Sequence, residues 1–422
     1  MKKIVKQLFK LRSAWFPVWL ITLLMLIMIS VYLPVFSGAN KNVPNVPLIF
    51  VNEDQGTVGA SILMKLKEKQ NGNPFNWRAA DSEKKALNQL KNNQAHGALI
   101  IPANFSKEIS EVQKSLLSEK ETGKPATLKI LLNEGIGQSS SMIASNVLQL
   151  VAASTNQEVS DEIKIILNQK GILLSPENAS LMDNPVQFKT ENVLGLPDNL
   201  NKGMTPFVMV IISSITGMMG ANMIRGYLRK ANGDLENNGS SLSYTKILKA
   251  EMIFSIFLAF GVSSVSQIGV FGFFGSSHTS SIFLIYPFSF FCCLTMISLF
   301  KSLSLIFGGW GMLVMFPINI MGIFSSGGPI PLSTLPIVHR IFSYILPTKY
   351  MVDGMRALLY YNGRMQAGLG TALFAISVYF IVTLAIILAF IVYSSKRDRN
   401  NASEEEEENM QVPIDSEIHA KK

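Results

Sequence analysis

The sequence predicts a polytopic α-helical membrane protein with an α/β domain inserted outside the membrane. Three observations carry that prediction. First, apolar segments lie at roughly 14–36, 205–224, 253–274, 282–300, 303–324 and 371–393. Each holds about 19–25 residues, the length a helix needs to cross about 30 Å of hydrocarbon. Second, they are laid out as one segment, a long polar stretch over 37–203, then five more. Third, of 422 residues 48% are hydrophobic and only 16% charged, against about 25% charged in soluble domains. The expected architecture is six transmembrane helices, one plus five, with the α/β domain (37–203) between helices 1 and 2.

Charge placement orients the chain. Lys2, Lys3, Lys6, Lys10 and Arg12 precede the first segment. Arg225, Arg229, Lys230, Lys246 and Lys249 fill the connection between the second and third, and Lys396, Arg397 and Arg399 follow the last. If every segment crosses once, these clusters share one side. The positive-inside rule puts that side, with both termini, in the cytoplasm and 37–203 outside. The net charge of +8 sits at membrane ends, so its partner is the anionic bilayer surface and not nucleic acid.

Residues 1–13 place Ile4, Val5, Leu8 and Leu11 on one helical face and lysines on the other. They read either as a short interfacial helix or as ordinary basic flanking sequence. Segment 14–36 is longer than the 7–15 apolar residues of a cleaved signal peptide and reads as an uncleaved anchor. The two cysteines, Cys292 and Cys293, fall in the fourth segment. The external domain therefore has no disulfide and must be held by its own core.

Within that domain, VPLIFV (46–51) reads as a buried strand ending in the turn-rich NEDQG (52–56). Helix is expected over 60–69, 81–92, 105–119 and 140–168, and strand over 97–102 and 127–132. This alternation suggests a sheet layered with helices. The stretch 176–202 reads as a connection back to the membrane. Residues 204–393 form the expected five-helix domain. Inside it, 325–369 is too apolar for a loop and too interrupted by Pro329, Pro331, Pro336 and Pro347 for a span, so a re-entrant or interfacial helical pair is expected. Residues 394–422, with the acidic run 404–408, read as a disordered cytoplasmic tail.

Catalytic chemistry is missing from the pattern. No P-loop, H-E-x-x-H or G-x-S-x-G occurs, and His96, His278, His339 and His419 have no metal-ligand spacing. No catalytic, cofactor-binding or metal residue is expected, and the chain is not expected to be an enzyme. The spans look nearly free of ionisable groups. Glu251 falls at the inner end of the third, and Lys301 at the expected short connection, 301–302, between the fourth and fifth. Proton-coupled carriers keep such groups at depth, so any transport would draw its energy elsewhere. Asn222, Gln267 and Asn319 are polar at depth. They read first as interhelical hydrogen-bonding groups and second as candidates for lining a path. Gly217 and Ala221 form a small-residue pair suited to close helix packing, and Gly308–Gly311 would loosen the fifth helix or allow a close helix contact.

Four stretches carry a resemblance. LPTKYMVDGMRALLYYNG (346–363), after the broken segment and before the last span, resembles the C-terminal signature of ABC type-2 permeases. PLIFVNEDQG (47–56), ALIIPANFSKEI (98–109) and NKGMTPFVMVIIS (201–213) resemble landmarks of the YhgE/Pip, or phage infection protein, branch of that superfamily. The resemblance extends over about 10–393, although the external domain is more compact than in many members. It implies a homodimer or paired permease, each protomer working with a separate cytoplasmic ATP-binding cassette subunit. That subunit would meet the entry helix and the loop bearing Arg225, Arg229, Lys230, Lys246 and Lys249. The re-entrant segment would cap the outer end of the path, with Pro347, Tyr350, Asp353 and Arg356 as candidate gate residues. Their spacing puts Tyr350, Asp353 and Arg356 on one face, and Asp353 with Arg356 as a structural pair. The expected function is the membrane subunit of an exporter moving an apolar or amphipathic compound outward. The alternative is a cell-surface binding or assembly scaffold, such as a phage receptor or a secretion-system component.

Overall fold

A run of four consecutive buried residues, Leu48 to Val51, sets the architecture of the α/β domain. In the computed structural model they form β1 (Pro47–Asn52), with Leu48 and Phe50 on one face and Ile49 and Val51 on the other. Both faces are covered, which is why the strand reads as an unbroken apolar run and not an alternating one. The structure describes residues 45–411, except 71–75, 118–122, 173, 196–202 and 238–241, together with four helical positions in the first apolar segment. The expected interfacial helix 1–13, most of the 14–36 span and residues 412–422 lie outside the described residues.

The chain forms two compact units. The first takes in the described residues up to Val208, Phe274–Ile285 and Met321–Leu373. Its elements follow β1 as α1 (Thr57–Gln70), β2 (Asn76–Ala80), α2 (Glu83–Lys91), β3 (Gly97–Ile101), α3 (Phe105–Leu117), β4 (Ala126–Leu132), α4 (Gln138–Lys170), α5 (Pro176–Asp183) and β5 (Val186–Asn192). The five strands form one sheet in the order β2-β1-β3-β4-β5. β1 runs parallel to β2 and β3, β4 antiparallel to β3, and β5 parallel to β4. The core lies on both faces. Leu48, Phe50, Leu99, Ile101, Leu128 and Ile130 pack under α1, α3 and α4, while Ile49, Val51, Ala98, Ile100 and Leu131 pack under α2. α2 starts on Ser82, whose side chain accepts from the Lys85 amide, and α4 ends on Gly171 in the left-handed region. β5 lies within the expected connection 176–202, and β2 in a stretch where the sequence reading assigns no element. Both are mostly exposed edge strands with polar sequences, NWRAA and VQFKTEN, so they lack the apolar signal of the central strands.

The same unit contains α10 (Ile337–Ile345) and α11 (Pro347–Tyr360), the helical pair expected within the proline-broken segment. Pro347 opens α11 at its first turn, where a missing N–H costs nothing.

The second unit comprises Met209–Phe273, Tyr286–Ile320 and residues from Phe374 onward. It is built from α6 (Thr205–Glu236), α7 (Tyr244–Gln267), α8 (Ile282–Phe307), α9 (Gly311–Phe324) and α12 (Leu369–Gln411); α6, α8, α9 and α12 begin or end in the first unit. Among the described residues, Thr205–Glu236, Tyr244–Phe273, Ile282–Phe324 and Leu369–Asn400 are long and apolar enough to cross a membrane.

One boundary differs from the sequence reading. α8 runs unbroken through Lys301 and Ser302, and the chain turns instead at Gly308–Trp310, where Gly308 adopts φ +55°. A side chain with a Cβ is strained there. The charge of Lys301 does not force a boundary because it meets an opposite charge inside the bundle. The GGWG stretch is thus the turn itself and not a loosened part of the next helix. A second difference lies at the end: α12 continues as helix to Gln411, through residues read as a disordered tail. Arginine, lysine, alanine and glutamate are good helix formers, and the preceding span has already nucleated the helix.

Candidate functional site

Polar contacts between apolar helices define the interior of the second unit. Gly217 of α6 faces the backbone of Met296 in α8; a Cβ there would lie 2.7 Å from the Met296 carbonyl carbon. The small residue lets the two helices approach closely. Further along, the Arg225 guanidinium donates to the Ser304 carbonyl at 3.0 Å and to its hydroxyl at 2.6 Å. These two contacts advance together, so α6 and α8 run in the same direction. Ser214 bonds Asn319, and the Asn222 amide reaches Met315 Sδ at 3.6 Å, so α9 runs back along α6. On the other side of α8, Ser298 and Thr383 share a hydroxyl hydrogen bond of 2.8 Å with α12, and Phe291 meets Phe380 edge-on at 5.5 Å. Cys292 and Cys293 are free thiols, both buried in α8.

The most consequential contact joins α7 to α8. Glu251 and Lys301 form an ion pair, with side chains 1% and 4% exposed. Sequence reasoning placed both groups at span ends and missed the pair. The two residues are remote in the chain, and only the antiparallel packing of α7 on α8 brings them together.

The candidate path residues separate into two kinds. Asn319 takes the Ser214 hydroxyl, and its amide reaches Met218 Sδ at 3.7 Å. Asn222 donates to the Met218 carbonyl at 2.9 Å. Both are engaged in helix contacts. Gln267 is different: it is buried, and neither its amide oxygen nor its nitrogen has a hydrogen-bond partner. Immediately after it the helix widens into a π-turn, Ile268–Phe273, a local geometry often found at functional sites. Among the basic candidates, Arg229, Lys230, Lys246 and Lys249 are exposed, whereas Arg225 is half-buried on Ser304.

In the first unit α11 is almost wholly buried, and its candidate residues form a linked set. Arg356 donates to Asp353 at 3.2 Å and to the Gly327 carbonyl at 3.2 Å. Lys349 lies 3.8 Å from Asp353 and within 4.9 Å of the ring centres of both Tyr344 and Tyr350. The Tyr350 hydroxyl donates to the Tyr344 carbonyl at 3.0 Å. Pro347 is buried at the head of the helix. α10 buries His339 and Ser343 and exposes Ile337, Val338, Ile341, Tyr344 and Ile345, an apolar face with the spacing of an interfacial helix.

The far end of α11 is tied to the sheet domain. Tyr361 donates its hydroxyl to Asn133 Oδ1 at 2.7 Å and is 3.0 Å from Asn93 Oδ1. Asn133 in turn donates to the Leu90 and Ala95 carbonyls. Arg364 reaches Asn92 at 3.4 Å, and the Ser139 hydroxyl donates to the Pro329 carbonyl at 2.9 Å. The sheet domain and the proline-broken segment are therefore one body. Nothing in the spacing of these residues announced that contact.

His96 lies at this junction. Burial, then the positive charges of Arg356 and Arg78, lower its pKa to about 3, so it is neutral at physiological pH. Below pH 6.5 the unfolded chain takes up a proton that folded His96 refuses, so its contribution to stability shrinks as pH falls from about 6.5 toward about 3. His96→Gln removes that contribution. Between pH 6.5 and 4 the thermal midpoint of the variant should fall less steeply than that of the native chain. Parallel curves would refute the assignment.

The sequence profile of the family described as ABC-2 family transporter protein matches residues 15–392. The chain belongs to the ABC-2 transporter family. It is a multi-pass membrane protein, and membership implies in general an ATP-binding partner. It is also similar to the uncharacterized protein YhgE of Bacillus subtilis (strain 168), at 24% identity over 176 residues. That match takes in 42% of this chain and 21% of YhgE, so the chain spans about a fifth of that relative's length. A solved structure described as a domain of a candidate ABC type-2 transporter from Thermotoga maritima MSB8 is 19% identical, with a TM-score of 0.24, covering 35% of this chain and 84% of that one. As a family member the chain carries no grouping of His, Cys, Asp and Glu able to hold a metal ion among its described residues.

Proposed function

We propose that this chain is the membrane-spanning permease subunit of an ABC type-2 exporter that moves an apolar or amphipathic compound outward, driven by a separate ATPase. The observation that carries the reading is the family match over 15–392, joined to helices of membrane-crossing length in the same region. In this reading the protomer has six membrane helices, counting 14–36 and both α8 and α9, of which α9, at 14 residues, is shorter than a full crossing. Its termini are cytoplasmic, its sheet domain is external, and two protomers pair. The exposed Arg229, Lys230, Lys246 and Lys249 form the handle for the ATPase, and Arg225 braces α6, which presents the first two of them.

Asp353, Arg356 and Tyr350 then hold the outer end of the path closed. The hydrogen bond from Tyr361 to Asn133 favours a sheet domain that works with this outer closure over one that acts as a separate adhesion scaffold. The handle is open to test by charge reversal. Lys246→Glu with Lys249→Glu should cut the amount of ATP-binding cassette protein co-purifying in mild detergent by about ten-fold, as expected for losing one or two charge contacts. ATP-dependent uptake of a fluorescent amphiphile by inside-out vesicles should fall with it. Uptake indifferent to ATP in the native protein, with no ATPase bound, would sink the permease reading.

A further inference from the structure

α7 carries its polar residues inward. Glu251, Ser255, Ser263, Ser266 and Gln267 are buried, while Phe254, Phe257 and Phe260 are exposed. Their spacing puts the buried set on one helical face. Ser263, Ser266 and Gln267 have no hydrogen-bond partner, and Glu251 and Lys301 have none beyond each other. A row of unsatisfied polar groups inside hydrocarbon is costly, and a ligand supplying the missing donors or acceptors would remove that cost. An ammonium has three donors, so Lys301 keeps two to offer after pairing with Glu251.

A cavity of about 230 Å³ opens beside this pair, between α7, α8 and α12. Its walls are apolar, with Met252, Ile297, Phe380 and Leu384 among them, and Lys301 supplies its charge. Ile256, half exposed, stands at the edge. The volume is smaller than a drug-sized site of about 300–1,000 Å³ and suits part of an alkyl chain. An apolar slot ending at a cation with spare donors fits a bilayer-resident amphiphile with an anionic head.

We propose that this cavity takes the alkyl chain of an anionic amphiphile whose head hydrogen-bonds to Lys301, and that the polar stripe of α7 is the track the head follows across the membrane. The track rests on the permease reading; the cavity does not.

The test is photolabelling in phosphatidylcholine nanodiscs with diazirine-bearing hexadecyl phosphate, against the uncharged diazirine hexadecanol. The phosphate should label peptides containing Met252–Ile256 and Leu294–Lys301 about ten-fold more than the alcohol, the margin of a charge-assisted hydrogen bond. Ile297→Trp fills the slot and should abolish labelling by both probes there. The paired change Glu251→Gln with Lys301→Gln keeps the volume and leaves no lone charge, and should bring the phosphate down to the alcohol. Equal labelling by both probes in the native chain, labels spread over Phe254, Phe257 and Phe260, or labelling indifferent to Ile297→Trp would each overturn the site. Gln267→Leu should leave labelling intact while slowing ATP-driven transfer of the phosphate probe about five-fold, the loss of one neutral hydrogen bond. Labelling with no ATP-driven transfer of the phosphate probe would overturn the track and leave the cavity standing; it would overturn the permease reading only if no other amphiphile were moved either. Transfer of other amphiphiles with no labelling would do the reverse.

Discussion

Replacing Lys301 by Met should destabilise the helical bundle by about 3–5 kcal/mol, because it leaves the Glu251 carboxylate buried with no opposite charge. Glu251 is 1% exposed and has no other hydrogen-bond partner. The reverse single change, Glu251→Leu, strands the ammonium and should cost a similar amount. The double variant, Glu251→Leu with Lys301→Met, behaves differently. It removes the desolvation penalty of both ions, and an apolar pair of similar volume is often neutral or stabilising by about 1–4 kcal/mol. Thermal unfolding of the full chain in detergent micelles reads all three. The expected order puts both single variants well below the native protein and the double variant level with it or above. Two mild single variants would mean that water reaches the pair, and then neither group is buried in the sense argued above. A stable double variant also shows what the pair is for. If it adds nothing to stability, its retention in an apolar bundle must serve positioning or binding, and that is the role the adjoining cavity gives it.

The same pair marks where the sequence stops being informative. Lys301 interrupts an apolar run, and a charge there reads as the end of a span, because burying a lone ammonium in hydrocarbon is expensive. Its partner sits on a different helix and is invisible without the packing. The true turn is marked instead by Gly308 and Gly309, glycines that in sequence alone look like a softening of the helix. Elsewhere local signals sufficed. Leu48–Val51, Gly97–Ile101 and Leu128–Leu132 read as strands because both sides of the sheet bury them. The spacing of Asp353 and Arg356 put the two charges within reach on one helix, and they meet at 3.2 Å. β2 and β5 were illegible, since an edge strand keeps few apolar residues. The links from Tyr361 to Asn133 and from Arg356 to the Gly327 carbonyl depend on long-range folding, and no periodicity encodes them.

Asp54→Ala should cost the sheet domain about 4 kcal/mol, the sum of two helix caps at about 2 kcal/mol each. The carboxylate is buried in the turn after β1 and serves two helices at once. One oxygen accepts from the amides of Gly56 and Gly59, at 3.2 Å each, and from the Ser106 hydroxyl at 2.6 Å. The other accepts from the Ser106 amide at 3.1 Å. Gly59 lies in the first turn of α1 and Ser106 in the first turn of α3, so a single negative charge meets the positive ends of both helix dipoles. The turn is too tight for a substitute: a Cβ on Gly56 would lie 2.2 Å from Ser106 Oγ. Alanine leaves every one of these donors without an acceptor, in a place where water enters poorly. Asp54→Asn keeps one acceptor oxygen and loses the charge, so it should cost about half as much. Hydrogen exchange on the full chain locates the effect. Peptides over Thr57–Gln70 and Phe105–Leu117 should both lose protection in the alanine variant, while those over α8 keep theirs. Loss at one helix alone would mean that the other is capped by something else, and unchanged protection at both would refute the shared cap.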